Sequence, residues 1–333
     1  MPSWFNSSAS VARVITSRLA CIRSGFSKRK NRTGWISSMT APFVEMSGPG
    51  NHGIRRRLDS EDIIVLPEYV GSALRPCGFG SKLVIFNQNA HYTFNGFRYS
   101  DDLSNFIYRG DLLAALAVSK HTFDYLKFAF PDLRVLLTPN GVDGARFYPG
   151  EDGKKRQIAF MPRKLPNSIV QIIQILRGRG SLKGWDLCPI DGMDEADVAR
   201  SLRNSSIFLS TCHDEGFGLP PLEAGASGCV VVGYTGYAAR EYMLPEYCYP
   251  IAQGDIIGFA QTLERVIHEF DVDSEDLLKK AERYSTFIKN NYSKKLEGKY
   301  VVAAWNEICG PGGQRRGNQS PMRQGKSVVA SPA

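Results

Sequence analysis

Two glutamates, Glu215 and Glu223, stand with seven residues between them in the segment Thr211 to Gly228, TCHDEGFGLPPLEAGASG. Gly216 and Gly218 follow the first glutamate, and Pro220 and Pro221 precede the second. Proline suits the first turn of a helix, where its missing N–H is one that would find no partner anyway, so LEAGA is expected to open a helix. The apolar run before the segment, Ile207 to Thr211 (IFLST), is expected to be a buried strand. A glycine-rich turn from the carboxyl end of a strand into a helix directs free backbone N–H groups at one spot. Such a spot binds phosphate, and the positive end of the helix dipole adds to the attraction. Glycine also lets the backbone approach a ligand closely. Taken singly, Glu223 would complement the helix dipole and Glu215 would be a solvated loop acid. With the glycines and prolines between them, the pair is a candidate ligand site.

A turn of this kind works only if layers of parallel strands and helices hold it at a sheet edge, and the chain supplies that pattern. Asp62 to Leu66 (DIIVL), Lys82 to Phe86 (KLVIF), Ala114 to Val118 (AALAV) and Arg134 to Leu137 (RVLL) read as strands, with a helix over Lys120 to Phe130 stopped by Pro131. The loop TPNGVDGARFY, from Thr138 to Tyr148, closes this first set. A second set follows. Gln157 to Met161, Trp185 to Ile190, Ile207 to Thr211 and Cys229 to Tyr234 are its strands, and Asn167 to Arg179 and Glu195 to Arg203 its helices, with Asp194 as N-cap. Residues 255–308 read as mostly helical. The expectation is one Rossmann-like α/β domain after another, and open sheets of this type bind ligands outside the carboxyl ends of their strands. Asn87, Gln88, Asn89 and His91 (FNQNAHYTF) follow a strand end in the first domain, as Glu68 does, so they are expected to line a cleft opposite the second domain. His213, two residues before Glu215, is read either as packing or loop hydrogen bonding or as a substrate contact.

EGFGLPPLEA resembles the E-x7-E motif of retaining GT-B glycosyltransferases, the group 1 or family 4 type, and VVGYTGYAAREYM follows in the expected order. PNGVD, from Pro139 to Asp143, is similar to that family's interdomain signature. The resemblance covers about residues 63–308 and implies a GT-B fold of two Rossmann-like domains with parallel sheets. It implies that Glu223 accepts hydrogen bonds from the ribose of a nucleotide sugar, that Glu215 faces the donor sugar, and that amides at Gly216, Phe217, Gly218 and Leu219 hold sugar hydroxyls and diphosphate. It further implies that Arg163 and Lys164 neutralise the diphosphate leaving group. The family's usual spacing would put the lysine at Ser168, so Arg163 is the safer assignment. Asn87, Asn89 and His91 would then touch donor sugar or acceptor. The reaction implied is electrostatically driven sugar transfer, with retention, to a glycan, lipid or small-molecule acceptor. No metal and no cofactor beyond the donor is expected.

A complete first domain in that family opens with a strand and a Gly-Gly loop, and neither is found, so the domain over 59–150 is expected to be shortened, ahead of a nucleotide-sugar-binding domain over 151–309. This keeps two alternatives open: a non-catalytic nucleotide-sugar-binding remnant, and a sugar-nucleotide epimerase on the same fold. The net charge of +8 does not indicate nucleic-acid binding. Residues 1–57 hold ten Lys or Arg and one acid, for +9, and residues 310–333 add +4, which leaves −5 for residues 58–309. Both tails, 1–58 and 310–333, read as disordered, and the mildly acidic remainder offers no basic groove. Seven scattered cysteines without C-x-x-C spacing suggest free thiols in a reducing compartment. No stretch is apolar enough for a membrane helix, so a cytoplasmic protein is expected, with the basic N-terminal stretch as a candidate peripheral contact to anionic lipid.

Overall fold

The computed structural model describes residues 43–48, 51–57, 63–68, 82–104, 106–109, 112–151 and 153–310, with the backbone alone at 43–48, 51–57 and 64. Strands β1 (Phe43–Gly48) and β2 (Asn51–Arg57) pair antiparallel, from Phe43↔Arg57 to Gly48↔Asn51. This corrects the expectation of a structureless extension through residue 58. The segment lacks apolar alternation, and the turn-favouring dipeptide Pro49-Gly50 is its one local hairpin signal. The rest of that extension, and the tail after Gly310, lie outside the described residues.

Four parallel strands, β3 (Ile63–Pro67), β4 (Lys82–Asn87), β5 (Leu112–Ala117) and β6 (Val135–Leu137), form the first sheet in that order. Each begins and ends within a residue or two of its expected bounds. Their side chains are buried on both faces (Val84, Ile85, Ala114, Ala115, Leu116), as a parallel sheet covered on both sides requires. Helix α1 (Lys120–Ala129) starts at Ser119, whose hydroxyl accepts from the Thr122 amide at 3.1 Å. Aromatic rings of Phe94, Phe106, Tyr108 and Phe130 fill the far side of the sheet, with Tyr108 and Phe130 stacked at 5.1 Å.

The second sheet is also parallel, in the order β11 (Tyr249–Ile251), β10 (Val230–Thr235), β9 (Ser205–Cys212), β7 (Lys155–Phe160), β8 (Asp186–Pro189). Helices α2 (Pro166–Arg179), α3 (Glu195–Asn204), α4 (Leu219–Ala226), α5 (Ile256–Val272) and α6 (Glu275–Asn291) cover it. The expected cap of α3 is present: the Asp194 carboxylate accepts from the Asp197 amide at 2.8 Å. Ile158, Ile172, Leu176, Phe259 and Leu263 pack one face, while Phe208, Leu222, Val231 and Tyr284 belong to a cluster that continues into the first domain through Val84 and Leu116.

The last helix, α7 (Lys294–Cys309), departs from the expected domain boundary. It crosses back and packs on β5 and β6, with Val301, Ala304 and Ile308 buried and Glu307 paired to Arg134 at 3.0 Å. Where the chain crosses back, Val142 and Ser293 form a parallel bridge: the Val142 amide donates to the Tyr292 carbonyl at 2.7 Å, and the Lys294 amide to the Val142 carbonyl at 3.2 Å. The Glu297 carboxylate, 3% exposed, accepts from the Gly141 amide at 3.1 Å and from the Lys294 ammonium at 2.6 Å. Among the described residues no helix is long and apolar enough to cross a membrane.

Candidate active site at the switch point of the second sheet

In the second sheet the strand order reverses at β7, which lies between β8 and β9. Loops leaving the carboxyl ends of β7 and β9 therefore run apart and open a crevice, the place where doubly wound sheets bind ligands. The loop after β7 carries Arg163 and Lys164, and the loop after β9 carries Glu215 and the glycines. Across this crevice the Lys164 ammonium pairs with the Glu215 carboxylate, and Met161, Ser210, Pro220 and Pro221 join them around a small cavity. Leu165, just after Lys164, has φ +45°, the one left-handed non-glycine conformation among the described residues. Such strain persists only where the surroundings over-determine it, here between the Lys164 turn and Pro166 at the start of α2. Arg163 pairs with Asp191 at 3.6 Å, both side chains well exposed.

Gly218 is the N-cap of α4 at φ +83°, and a Cβ there would lie 2.9 Å from the Tyr242 hydroxyl. That hydroxyl, fully buried, reaches the carbonyls of both Phe217 (2.7 Å) and Gly218 and fixes the loop from beneath. Because Pro220 and Pro221 have no N–H, the amides free to meet an anion are those of the loop and Leu219, not the whole first turn of the helix. Gly216 approaches protein backbone in this structure: a Cβ on it would run into the Gln88 carbonyl. Beside that contact, Asn89 Nδ2 donates to the Asp214 carbonyl at 2.7 Å. The carboxyl edges of the two sheets thus face each other at the glycine loop. A second link joins them where the Lys120 amide, at the start of α1, donates to Glu241 at 2.8 Å.

Glu223 lies in α4, half-buried, and loss of hydration lifts its pKa to about 7, with the Glu195 charge raising it further and Lys294 opposing. Burial also raises Glu68, after β3, to about 7, against hydrogen bonds from the amides of Gln88, Glu68 itself and Asn89. Cys212 is pushed up to about 12 by burial, so its thiol stays neutral. His91 stacks with His121 at 5.6 Å and meets Tyr237 at 4.9 Å. Burial and the neighbouring His91 lower the His121 pKa. Among the described residues no group of three or more His, Cys, Asp or Glu side chains could hold a metal ion. Asp271 and Asp273 have D-x-D spacing, but they lie at the C-terminal end of α5, by the opposite sheet edge. There Asp271 takes the Trp185 indole at 3.3 Å and Arg156 at 3.1 Å. Cys188, Cys212, Cys229, Cys248 and Cys309 are free thiols, while Cys21 and Cys77 lie outside the described residues.

The structure brings Glu215, Lys164, Gly216, Phe217, Gly218, Leu219 and Asn89 to one edge, with His91 one turn further along the same wall. Asn87 is different: fully buried, it donates to Tyr108 (3.0 Å) and Thr93 (3.2 Å) beneath that wall. His213 Nδ1 meets the Asp214 carboxylate at 3.0 Å, both side chains exposed. Sequence reasoning misses Tyr242 and the His121–Tyr237 stack. The one available signal is the strand end at Thr235, which puts Tyr237 and Tyr242 on the same edge as Glu215.

Comparison with known proteins agrees with this fold. Residues 189–291, from β8 through α6, match the family described as Glycosyl transferases group 1. The chain is 26% identical over 234 residues to an alpha-1,6-glucosyltransferase of Actinobacillus pleuropneumoniae serotype 7 (strain AP76), across 63% of this chain and 65% of that protein. The chain therefore spans somewhat less than two thirds of that relative's length. Among solved structures it is similar to sucrose-phosphate synthase from Thermosynechococcus elongatus (TM-score 0.56, 14% identity, 74% of this chain and 73% of that one). It is also similar to TarM from S. aureus, solved with UDP (TM-score 0.55, 12%, 74% and 56%). The pneumococcal O-GlcNAc transferase GtfA, solved with UDP and GlcNAc, is a third (TM-score 0.53, 15%, 75% and 57%). The protein thus has the GT-B fold of glycosyltransferases. The part of its second domain that matches the glycosyl transferases group 1 model, residues 189–291, holds β9, the glycine loop, α4 and β10.

Proposed function

We propose that the protein is a glycosyltransferase that moves a sugar from a nucleotide-diphosphate donor to a glycan, lipid or small-molecule acceptor, with retention of anomeric configuration and without a metal ion. The observation that carries this reading is the meeting of Lys164 and Glu215 across the switch-point crevice, at the mouth of the glycine loop. Breaking a glycosyl-phosphate bond builds positive charge on the sugar ring and negative charge on the departing diphosphate. Fixed cations and backbone N–H groups stabilise that charge as it develops, with no reorganisation at the moment of reaction. In this reading Lys164 exchanges Glu215 for the diphosphate when donor arrives, Arg163 swings from its exposed pairing with Asp191 to join it, and Glu215 is released toward the donor sugar. Amides from Gly216 to Leu219 hold the phosphates and sugar hydroxyls. Glu223 accepts from the ribose hydroxyls, and Asn89 and His91 face the sugar from the first domain. Similarity to a glucosyltransferase, and in fold to an O-GlcNAc transferase, supports sugar transfer as the reaction class.

The test is a thermal-shift and calorimetric screen of the full chain against UDP, GDP, ADP and their sugars, with Glu223→Ala alongside. A donor at about a hundred times its Kd is expected to stabilise the wild type by about 2.7 kcal/mol. The same donor is expected to bind Glu223→Ala at least about tenfold more weakly, the loss of one hydrogen bond to a charged group. A protein that no nucleotide stabilises would overturn the reading.

A further inference from the structure

Beneath the first-domain wall of the crevice lies more buried polarity than a sheet edge needs. Glu68, directly after β3, is 1% exposed, and Asn87, at the end of the neighbouring β4, is fully buried. The register Pro67↔Phe86 sets the two side by side. The Oε2 of Glu68 and the Oδ1 of Asn87 are both buried with no hydrogen-bond partner. A sheet edge built for stability alone would place apolar side chains here, since a buried carboxyl left partly unsatisfied destabilises the fold. The backbone amides of Gln88 and Asn89, with its own, lie close enough to Glu68 to oppose the rise that burial imposes on its pKa. Those first two amides form the turn that reaches the second domain, where the Gln88 carbonyl packs on Gly216 and Asn89 Nδ2 bonds the Asp214 carbonyl. One short path therefore runs from Glu68 through two amides to both residues that flank Glu215.

We propose that Glu68 is a positioning residue: by holding the Gln88–Asn89 turn it fixes the Asp214–Gly216 loop, and with it Glu215, at the mouth of the crevice. What Glu215 then does rests on the transferase reading; the mechanical link does not.

The experiment compares Glu68→Ala, Glu68→Gln, Asn89→Ala and the Glu68→Ala/Asn89→Ala pair by amide hydrogen exchange on the full chain, without ligand. Residues 213–219 are the reporter and α5 is the reference. Exchange in 213–219 is expected to rise about tenfold in each alanine variant, no further in the pair, and less in Glu68→Gln, whose amide oxygen still accepts, while α5 is unchanged. Unchanged exchange in 213–219, an equal rise in α5, or additive effects in the pair would each overturn the proposal. If Glu68→Ala does not fold, Glu68→Gln is read in its place: a rise confined to 213–219 supports the proposal, and no rise overturns it. UDP, GDP and ADP binding by the wild type is measured separately. Its absence would count against the transferase reading and leave the exchange result standing.

Discussion

Glu223 enters α4 half-buried, with a pKa lifted to about 7 by the loss of its hydration. In the unfolded chain the same carboxyl loses its proton near the ordinary value of 4.5. Between these values the folded state binds more protons, so the stability contributed by Glu223 is fully present below 4.5 and is lost as the pH rises through 7. Glutamine keeps the shape of the protonated acid and cannot ionise. Glu223→Gln is therefore expected to melt above the wild type by roughly 2–4 °C at pH 8 and level with it at pH 5, measured by thermal denaturation in matched buffers. At this scale the sequence is informative where chemistry is local: the spacing of Glu215, Gly216, Gly218 and Glu223 within one strand–turn–helix unit suffices to mark the crevice. It is silent where partners are distant. Asn89 and Asp214 are 125 positions apart, and nothing in FNQNAHYTF names a carbonyl in another domain. Tyr242 is equally hidden, because a buried phenol that ties down two loop carbonyls has the pattern of a core aromatic.

Helix α4 ties the crevice to the body of the second domain. Its Gly225 faces α6, and a Cβ there would lie 2.5 Å from Tyr284 Cδ1 and 2.7 Å from Ile288 Cδ1. Both are fixed core atoms, so Gly225→Ala is expected to destabilise the protein by about 1–3 kcal/mol through overpacking, despite alanine's better helix propensity. Urea denaturation checks this, and a stabilised variant would show that α6 yields freely. Elements with strong periodicity and a stop signal were legible: α1 ends before Pro131, α3 starts at Asp194, and the buried strands of both sheets fall where their apolar runs lie. The hairpin β1–β2 was not, since cross-strand pairing with little apolar alternation leaves no periodic signal. The turn around Leu165 was also missed, because no propensity rule places a leucine in the left-handed region just before a proline.

At the scale of the molecule, the chain passes between the domains near Val142 and again near Ser293, and the two passages are hydrogen-bonded to each other. The buried Glu297 carboxylate secures them through Gly141 and Lys294. Glu297→Ala would leave the Gly141 amide without that acceptor and is expected to cost about 1–3 kcal/mol, with faster amide exchange at residues 140–143 and 293–297 than elsewhere. Sequence periodicity predicts α7 as a helix but not its allegiance, because its apolar face carries no label for the sheet it covers. That allegiance has a consequence for biosynthesis. The second sheet and its helices come from one unbroken stretch of chain, whereas the first sheet waits for a helix made some 150 residues later, beginning at Lys294. On the ribosome the usual order, in which the N-terminal domain matures first, is therefore inverted. The domain that carries Glu215 and Glu223 can close its own core while the earlier strands still lack the cover that α7 gives them.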